Sequence, residues 1–156
     1  MRILNIFTFI FFMALFAQPA HAGQWTSVSE GDLQTARSFF EDSGTYYLTG
    51  NTGKSLYSAD GQTWQQGQTG SSDFYFDHGK LADGNIVIVG NSGAAQSSVD
   101  SGLTWQSMSF GITDNINSIE LNGDTGFITA DNGTLYHYIS AYGTWVVKDI
   151  GISQNL

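Results

Sequence analysis

The 156-residue chain carries 14 Asp and Glu against 5 Lys and Arg, a formal net charge of −9. Such a surface repels phosphate backbones and anionic lipid, which excludes nucleic-acid binding. The chain has no cysteine, so neither a disulfide framework nor a thiolate metal site is available and packing alone must hold the fold.

The chain opens on an export leader. Met1-Arg2 is a short positive start, an apolar run follows to Ala17, and Pro19-Ala20-His21-Ala22 closes it with small residues where a signal peptidase reads. The run falls short of the roughly 20 apolar residues a membrane span needs. Residues 1–22 are therefore expected to be a signal peptide. Residues 23–156 are then one exported domain, periplasmic or extracellular, with no membrane attachment after cleavage.

A repeat organises everything that follows. Trp25, Trp64, Trp105 and Trp145 recur about 40 residues apart, each with a glycine six residues on: Gly31, Gly70, Gly111 and Gly151. Upstream of the last three lies a tight-turn signature: Gly50-Asn51-Thr52-Gly53, Gly90-Asn91-Ser92-Gly93, and the looser Ala130-Asp131-Asn132-Gly133. Short apolar runs bounded by Gly, Asn, Asp and Ser read as strands and hairpins, never helix.

The first unit predicts strands at 36–41, 45–49, 54–58 and 63–66. The second predicts 74–77, 85–89, 94–98 and 104–108. The third predicts 117–121, 126–129, 134–139 and 144–148. Ile86-Val87-Ile88-Val89 has no polar alternation, as expected of a strand buried on both faces. Four short strands per 40 residues is the arithmetic of a β-propeller blade. The fold class is thus all-β, a propeller-type array of about three four-stranded antiparallel blades near 32–67, 72–108 and 115–148, with an N-terminal strand at 24–28.

Between the third and fourth strands sits a motif. Ser98-Val99-Asp100-Ser101-Gly102-Leu103-Thr104-Trp105 is a full Ser-x-Asp-x-Gly-x-Thr-Trp match, and Ser58-Ala59-Asp60-Gly61-Gln62-Thr63-Trp64 is one residue shorter. The third unit keeps only Gly143, Thr144 and Trp145. The Asp should accept hydrogen bonds from turn N–H groups, the Gly permits the reversal, and the Trp packs on the sheet. These residues resemble the Asp box of sialidases, sortilin-class receptors, xyloglucanases and photosystem II stability and assembly factors. The run from Val89 through Gly90-Asn91-Ser92-Gly93 to Trp105 looks most like the last family. That resemblance implies a non-enzymatic propeller that holds partner proteins.

Enzyme chemistry fares poorly. By the resemblance, a sialidase would need three arginines around its substrate carboxylate, because only a guanidinium fork binds one bidentately. Beyond the leader the chain has Arg37 alone. Asp73 and Asp77 flank Phe74-Tyr75-Phe76, and Glu41-Asp42 follows Phe39-Phe40; these read as a solvated strand edge and a turn rather than a glycosidase pair. His78 reads as a turn residue beside Gly79. His137 shares a face with Leu135 and Ile139, as a partly buried structural histidine. No metal spacing, calcium loop or cofactor motif is expected, and Asn122-Gly123-Asp124 and Asp131-Asn132-Gly133 read as hairpin turns.

The primary reading is therefore an exported, non-enzymatic module with a protein partner. The alternative is a carbohydrate-binding or glycoside-hydrolase-like fragment lacking the catalytic arginines, and a third is a purely structural repeat. Three blades with one extra strand fall below the usual minimum of about four. The ring is expected to be incomplete, to be closed by further blades or by self-association.

Overall fold

In the computed structural model, residues 35–123, 125–139 and 144–148 are described. The leader, the 24–28 strand, Trp25, Gly31, Gly143 and Gly151 lie outside them. Twelve strands form three four-stranded antiparallel sheets, each in simple up-and-down order. Blade 1 holds β1 (Ala36–Asp42), β2 (Thr45–Gly50), β3 (Ser55–Ser58) and β4 (Gln65–Gly67). Blade 2 holds β5 (Tyr75–Lys80), β6 (Ile86–Gly90), β7 (Ala95–Ser98) and β8 (Gln106–Met108), and blade 3 holds β9 (Ile116–Asn122), β10 (Thr125–Ala130), β11 (Thr134–Ile139) and β12 (Thr144–Lys148). The first strands β1, β5 and β9 lie side by side, as the inner strands of a propeller do. Among the described residues the array is open: three blades, not a closed ring.

The blades are quasi-equivalent down to the register. Each inner strand carries an irregularity at the same place, beside Arg37, Phe76 and Asn117, so Ser38, Asp77 and Ser118 occupy one position. By the same count Tyr47, Val87 and Phe127 are equivalent, as are Leu48, Ile88 and Ile128. Period-2 alternation then decides which blade each side chain meets. Ile86 and Ile88 pack toward blade 1, with Tyr47, Tyr75 and Trp105. Val87 and Val89 pack toward blade 3, with Ala95, Ile112, Ile116, Ile119 and Ile128. All four β6 side chains are buried, as a strand sandwiched between two blades requires.

Two expectations need correction. His78 is not in a turn: β5 runs on through Lys80, and His78 is 4% exposed. The fourth strands also begin later than expected, at Gln65 and Gln106 instead of residues 63 and 104. The Thr63 and Thr104 N–H groups are bound to Asp60 and Asp100, and Trp105 N donates to Gln68 O of blade 1 (3.2 Å), so none is free for the ladder.

The turn signatures have a steric cause. The third and fourth residues of each are both left-handed: Thr52 and Gly53 (φ 68° and 67°), Ser92 and Gly93 (51° and 71°), Asn132 and Gly133 (61° and 69°). A type I′ hairpin turn demands that pair. Gly53 and Gly93 answer a second demand, since a Cβ there would fall 1.8 Å from Ser71 O and 1.9 Å from Ile112 O. Glycine lets the loop entering the next blade press against the turn.

Candidate functional site

Two clasps hold the third and fourth strands of blades 1 and 2. In the second, Asp100 Oδ1 accepts from Thr104 N (2.8 Å) and Ser98 Oγ (2.8 Å), and Oδ2 accepts from Thr104 Oγ1 (2.6 Å). Ser98 Oγ accepts in turn from Gly102 N (2.9 Å), and Trp105 Nε1 donates to Gly102 O (3.1 Å). In the first clasp Asp60 Oδ1 accepts from Gln62 N (2.8 Å), Thr63 N (2.7 Å) and Ser58 Oγ (3.0 Å), and Gly61 N donates to Ser58 Oγ. Hydrogen bonds from Thr63 and Gln62 hold the Asp60 carboxyl down at about 2, and those from Thr104 lower Asp100 likewise. The hydrogen bonds that these carboxylates accept come from their own turns. The shorter first clasp brings no carbonyl to Trp64 Nε1, which is buried without an acceptor. Trp145 packs on blade 2, edge-on to Phe110 at 5.3 Å.

Sequence reasoning missed the network on the inner strands. Asp77 is not a solvated edge residue. Its Oδ1 accepts from Ser38 Oγ of blade 1 (2.9 Å), and its Oδ2 accepts from Ser118 Oγ (2.6 Å) and Ile119 N (3.0 Å) of blade 3. One carboxylate thus ties three blades together. Beside it Lys80 Nζ pairs with Asp42 at 2.7 Å, and Arg37 lies over the Phe76 ring at 5.1 Å. The sequence hid it, because the first hairpin of blade 2 is one residue longer than its counterparts, so aligning the repeats on their turns puts His78 and not Asp77 in the column of Ser38 and Ser118.

Ser38, His78 and Asp77 share the ingredients of a hydrolytic triad but not its wiring. His78 Nδ1 lies 2.9 Å from Ser38 Oγ, yet Asp77 contacts the serine and not the imidazole. The single Ser38 proton goes to Asp77, so Nδ1 must carry the hydrogen in its own contact and cannot serve as base to that serine. Nε2 is buried without a partner, and burial lowers the His78 pKa from 6.5 to about 4. This imidazole is neutral packing stacked on Phe40, not a proton shuttle.

His137 stacks on Phe127 at 4.6 Å, with Nε2 3.2 Å from Thr125 Oγ1, on the face of blade 3 turned away from blade 2. Among the described residues no cluster of His, Asp and Glu could hold a metal. Asp131 Oδ1 and Oδ2 accept from Asn117 and Asn115, fastening the third turn to the inner strand.

Among the described residues two clefts open between blades. The first, about 550 Å³, is polar and runs along 69–73, 91–96 and 107–108, where Ser71, Ser72, Asp73, Asn91, Ser92, Gln96 and Ser107 line it. Gln96 Nε2 donates to Thr69 O (2.9 Å) across the blade 1–blade 2 joint. Burial raises the Tyr75 phenol, Ser71 opposing it from outside hydrogen-bonding geometry. The second cleft, about 360 Å³, is apolar, with Leu81, Phe110, Leu121, Tyr138 and Trp145 around it and Asp83 at its wall. Met108 lines both.

The same blade geometry is found in solved propellers. Neither a protein-family model nor a curated protein matches the sequence. A structure described as "YCF48 bound to D1 peptide" is similar over 78% of this chain and 43% of its own, with a TM-score of 0.63 and 17% identity. The WD40 propeller domain of Doa1 is similar over 71% and 39%, with a TM-score of 0.58 and 10% identity. PorZ, a surface component of the type-IX secretion system of Porphyromonas gingivalis, is similar over 72% and 16%, with a TM-score of 0.55 and 13% identity. The chain therefore spans about two-fifths of the length of the first two. At these identities the likeness is one of fold, and it places the repeats of this chain among β-propeller blades.

Proposed function

We propose that this chain is an exported, non-enzymatic propeller module that binds a protein partner, as an assembly factor does. The polar cleft between blades 1 and 2 is the observation that carries the reading. Its hydroxyls, amides and single carboxylate Asp73 offer paired donors and acceptors along an open trough. An extended polypeptide, with one N–H and one C=O per residue, presents the matching set. Met108 connects the trough to the apolar cleft, which would take one apolar side chain of the bound segment. The turns at 58–64 and 98–105 act as Asp boxes in the structural sense, their carboxylates consumed by the turns they close.

Carbohydrate binding is the second reading, favoured by one feature: Trp145, Tyr138 and Phe110 around the apolar cleft with Asp83 beside them. Ser72→Arg and Ser107→Arg, both at exposed positions of the trough, separate the two. If the trough holds a protein, photo-crosslinked capture of a partner from the exported fraction falls sharply in both variants while melting temperature stays put. Undiminished capture sinks the trough as the site. Binding on a glycan array that is lost with Trp145→Ala alone supports the second reading instead. In the same preparation the N-terminus should read from Gly23 or close to it, and an intact Met1 would refute export by a cleaved leader.

A further inference from the structure

We propose, on the reading of the trough as the partner site, that it takes a lysine or arginine side chain of the bound segment, the charged head held between Asp73 and Gln96. The two joints between described blades are built on the same columns of the repeat, so each is a control for the other. By register Tyr75 matches Ile116, and Gln96 matches Tyr136 of blade 3 and Leu56 of blade 1. The loops entering β5 and β9 run in step, so Thr69, Ser71 and Asp73 match Phe110, Ile112 and Asp114. At the blade 2–blade 3 joint these columns are core: Ile112 and Ile116 are buried, with Phe110 and Tyr136 packed against them. At the blade 1–blade 2 joint they read Thr69, Ser71, Tyr75 and Gln96, and there the polar cleft opens. A buried glutamine where the other blades place leucine and tyrosine costs desolvation and adds no packing. Such a break in a local rule marks a functional position.

The wall of the cleft spends its donors on itself. The N–H groups of Ser71, Asp73 and Ala94 donate to Thr69 Oγ1, Ser71 Oγ and Asn91 O. Gln96 Nε2 donates to Thr69 O, which leaves Oε1 as a pure acceptor, buried and without a partner. The Tyr75 hydroxyl beside it in the lining is buried and unmatched too; burial raises its pKa first, the nearby Asp73 charge adding to it. Asp73 accepts from Ser71 Oγ at 2.6 Å and has lone pairs to spare. Among the described residues no lysine, arginine or histidine lines the cleft.

Unmatched acceptors beside a negative charge decide the ligand chemistry. A carboxylate or phosphate would meet Asp73 with no cation to offset it, and an apolar group would leave Gln96 Oε1 unmatched. A neutral amide satisfies Oε1 but not the charge. An ammonium or guanidinium head brings several N–H donors and the opposite sign, and answers both groups. The net charge of −9 draws a basic segment toward the protein in the first place.

Peptides that the purified protein selects from a displayed random library should share one basic position. Replacing that residue by citrulline (for arginine) or acetyl-lysine (for lysine) keeps its length and removes its charge. Binding read by fluorescence anisotropy should weaken about tenfold. In Asp73→Asn, and in Gln96→Leu, which borrows the side chain of Leu56, most of that discrimination should vanish at an unchanged melting temperature. Asp114→Asn removes the same charge from the same column at the other joint and should leave the discrimination intact. Free spermidine should not displace the peptide; displacement would overturn the assignment to a polypeptide side chain. Selected peptides that lack a basic position, or discrimination that persists in both Asp73→Asn and Gln96→Leu, overturn the inference. The trough itself still stands in that case if Ser72→Arg and Ser107→Arg abolish peptide binding. Undiminished binding to those two variants sinks the trough, and the basic-residue site with it.

Discussion

At the scale of single residues, His78 is the group whose environment is most decisive. Burial disfavours its charged form, so the folded protein binds that proton only near pH 4 while the unfolded chain binds it near 6.5. The unfolded state therefore holds more protons between those values, and stability rises with pH across that window. The contribution is fully present above about 6.5 and is lost as pH falls toward about 4, a change on the order of 3 kcal/mol. Urea midpoints should drop between pH 7 and 4.5 in the wild type and hardly move in His78→Gln. Equal drops would refute the assignment. Asp60 and Asp100 cannot mimic this effect, since their lowered values place their own losses below the usual carboxylate pKa of 3.8. None of this was legible in the sequence, where a His-Gly pair looked like a turn. What fixes His78 is Phe40 and Ser38, a blade away, and local pattern cannot report a contact at that separation.

At the scale of elements, the hairpin turns show what a sequence does disclose. The register of the repeat and the twelve strands were readable, because turn chemistry and period-2 alternation are local. Strand ends were less so, since Thr63 and Thr104 look like strand residues until their N–H groups are seen bound to carboxylates. The turns also differ in strain. Asn132 sits comfortably at φ 61°, whereas Thr52 carries a β-branched side chain at φ 68°, where Cβ crowding is worst. Thr52→Asn should therefore stabilise by about 0.5–1 kcal/mol, read as a raised denaturant midpoint with unchanged slope. Its exposed position leaves little packing to lose. A lowered midpoint would mean that Thr52 Oγ1, which donates to Asn51 O, matters more than the backbone strain.

At the scale of the whole molecule, stability should be graded by how many blades each strand touches. A repeat array draws its cohesion from nearest-neighbour joints, and among the described residues the middle unit is held twice and each end unit once. Strand β6 is the extreme case: Ile86 and Ile88 face one joint, Val87 and Val89 the other, and all four are at most 3% exposed. Asp77 on the adjacent strand adds polar ties to both neighbours. Opening blade 1 or blade 3 breaks one joint, but opening blade 2 breaks both together. Native-state hydrogen exchange should consequently find the slowest amides in β6, with those of β2 and β10 exchanging through cheaper openings. Ile88→Ala removes a fully buried side chain and should cost about 3–4 kcal/mol. Its damage should reach blade 1 first, because that is the joint it fills, and exchange in β2 should accelerate more than exchange in β10. Uniform acceleration across all three blades would show instead that the array opens as one cooperative unit, with the two joints too strongly coupled for nearest-neighbour reasoning to hold.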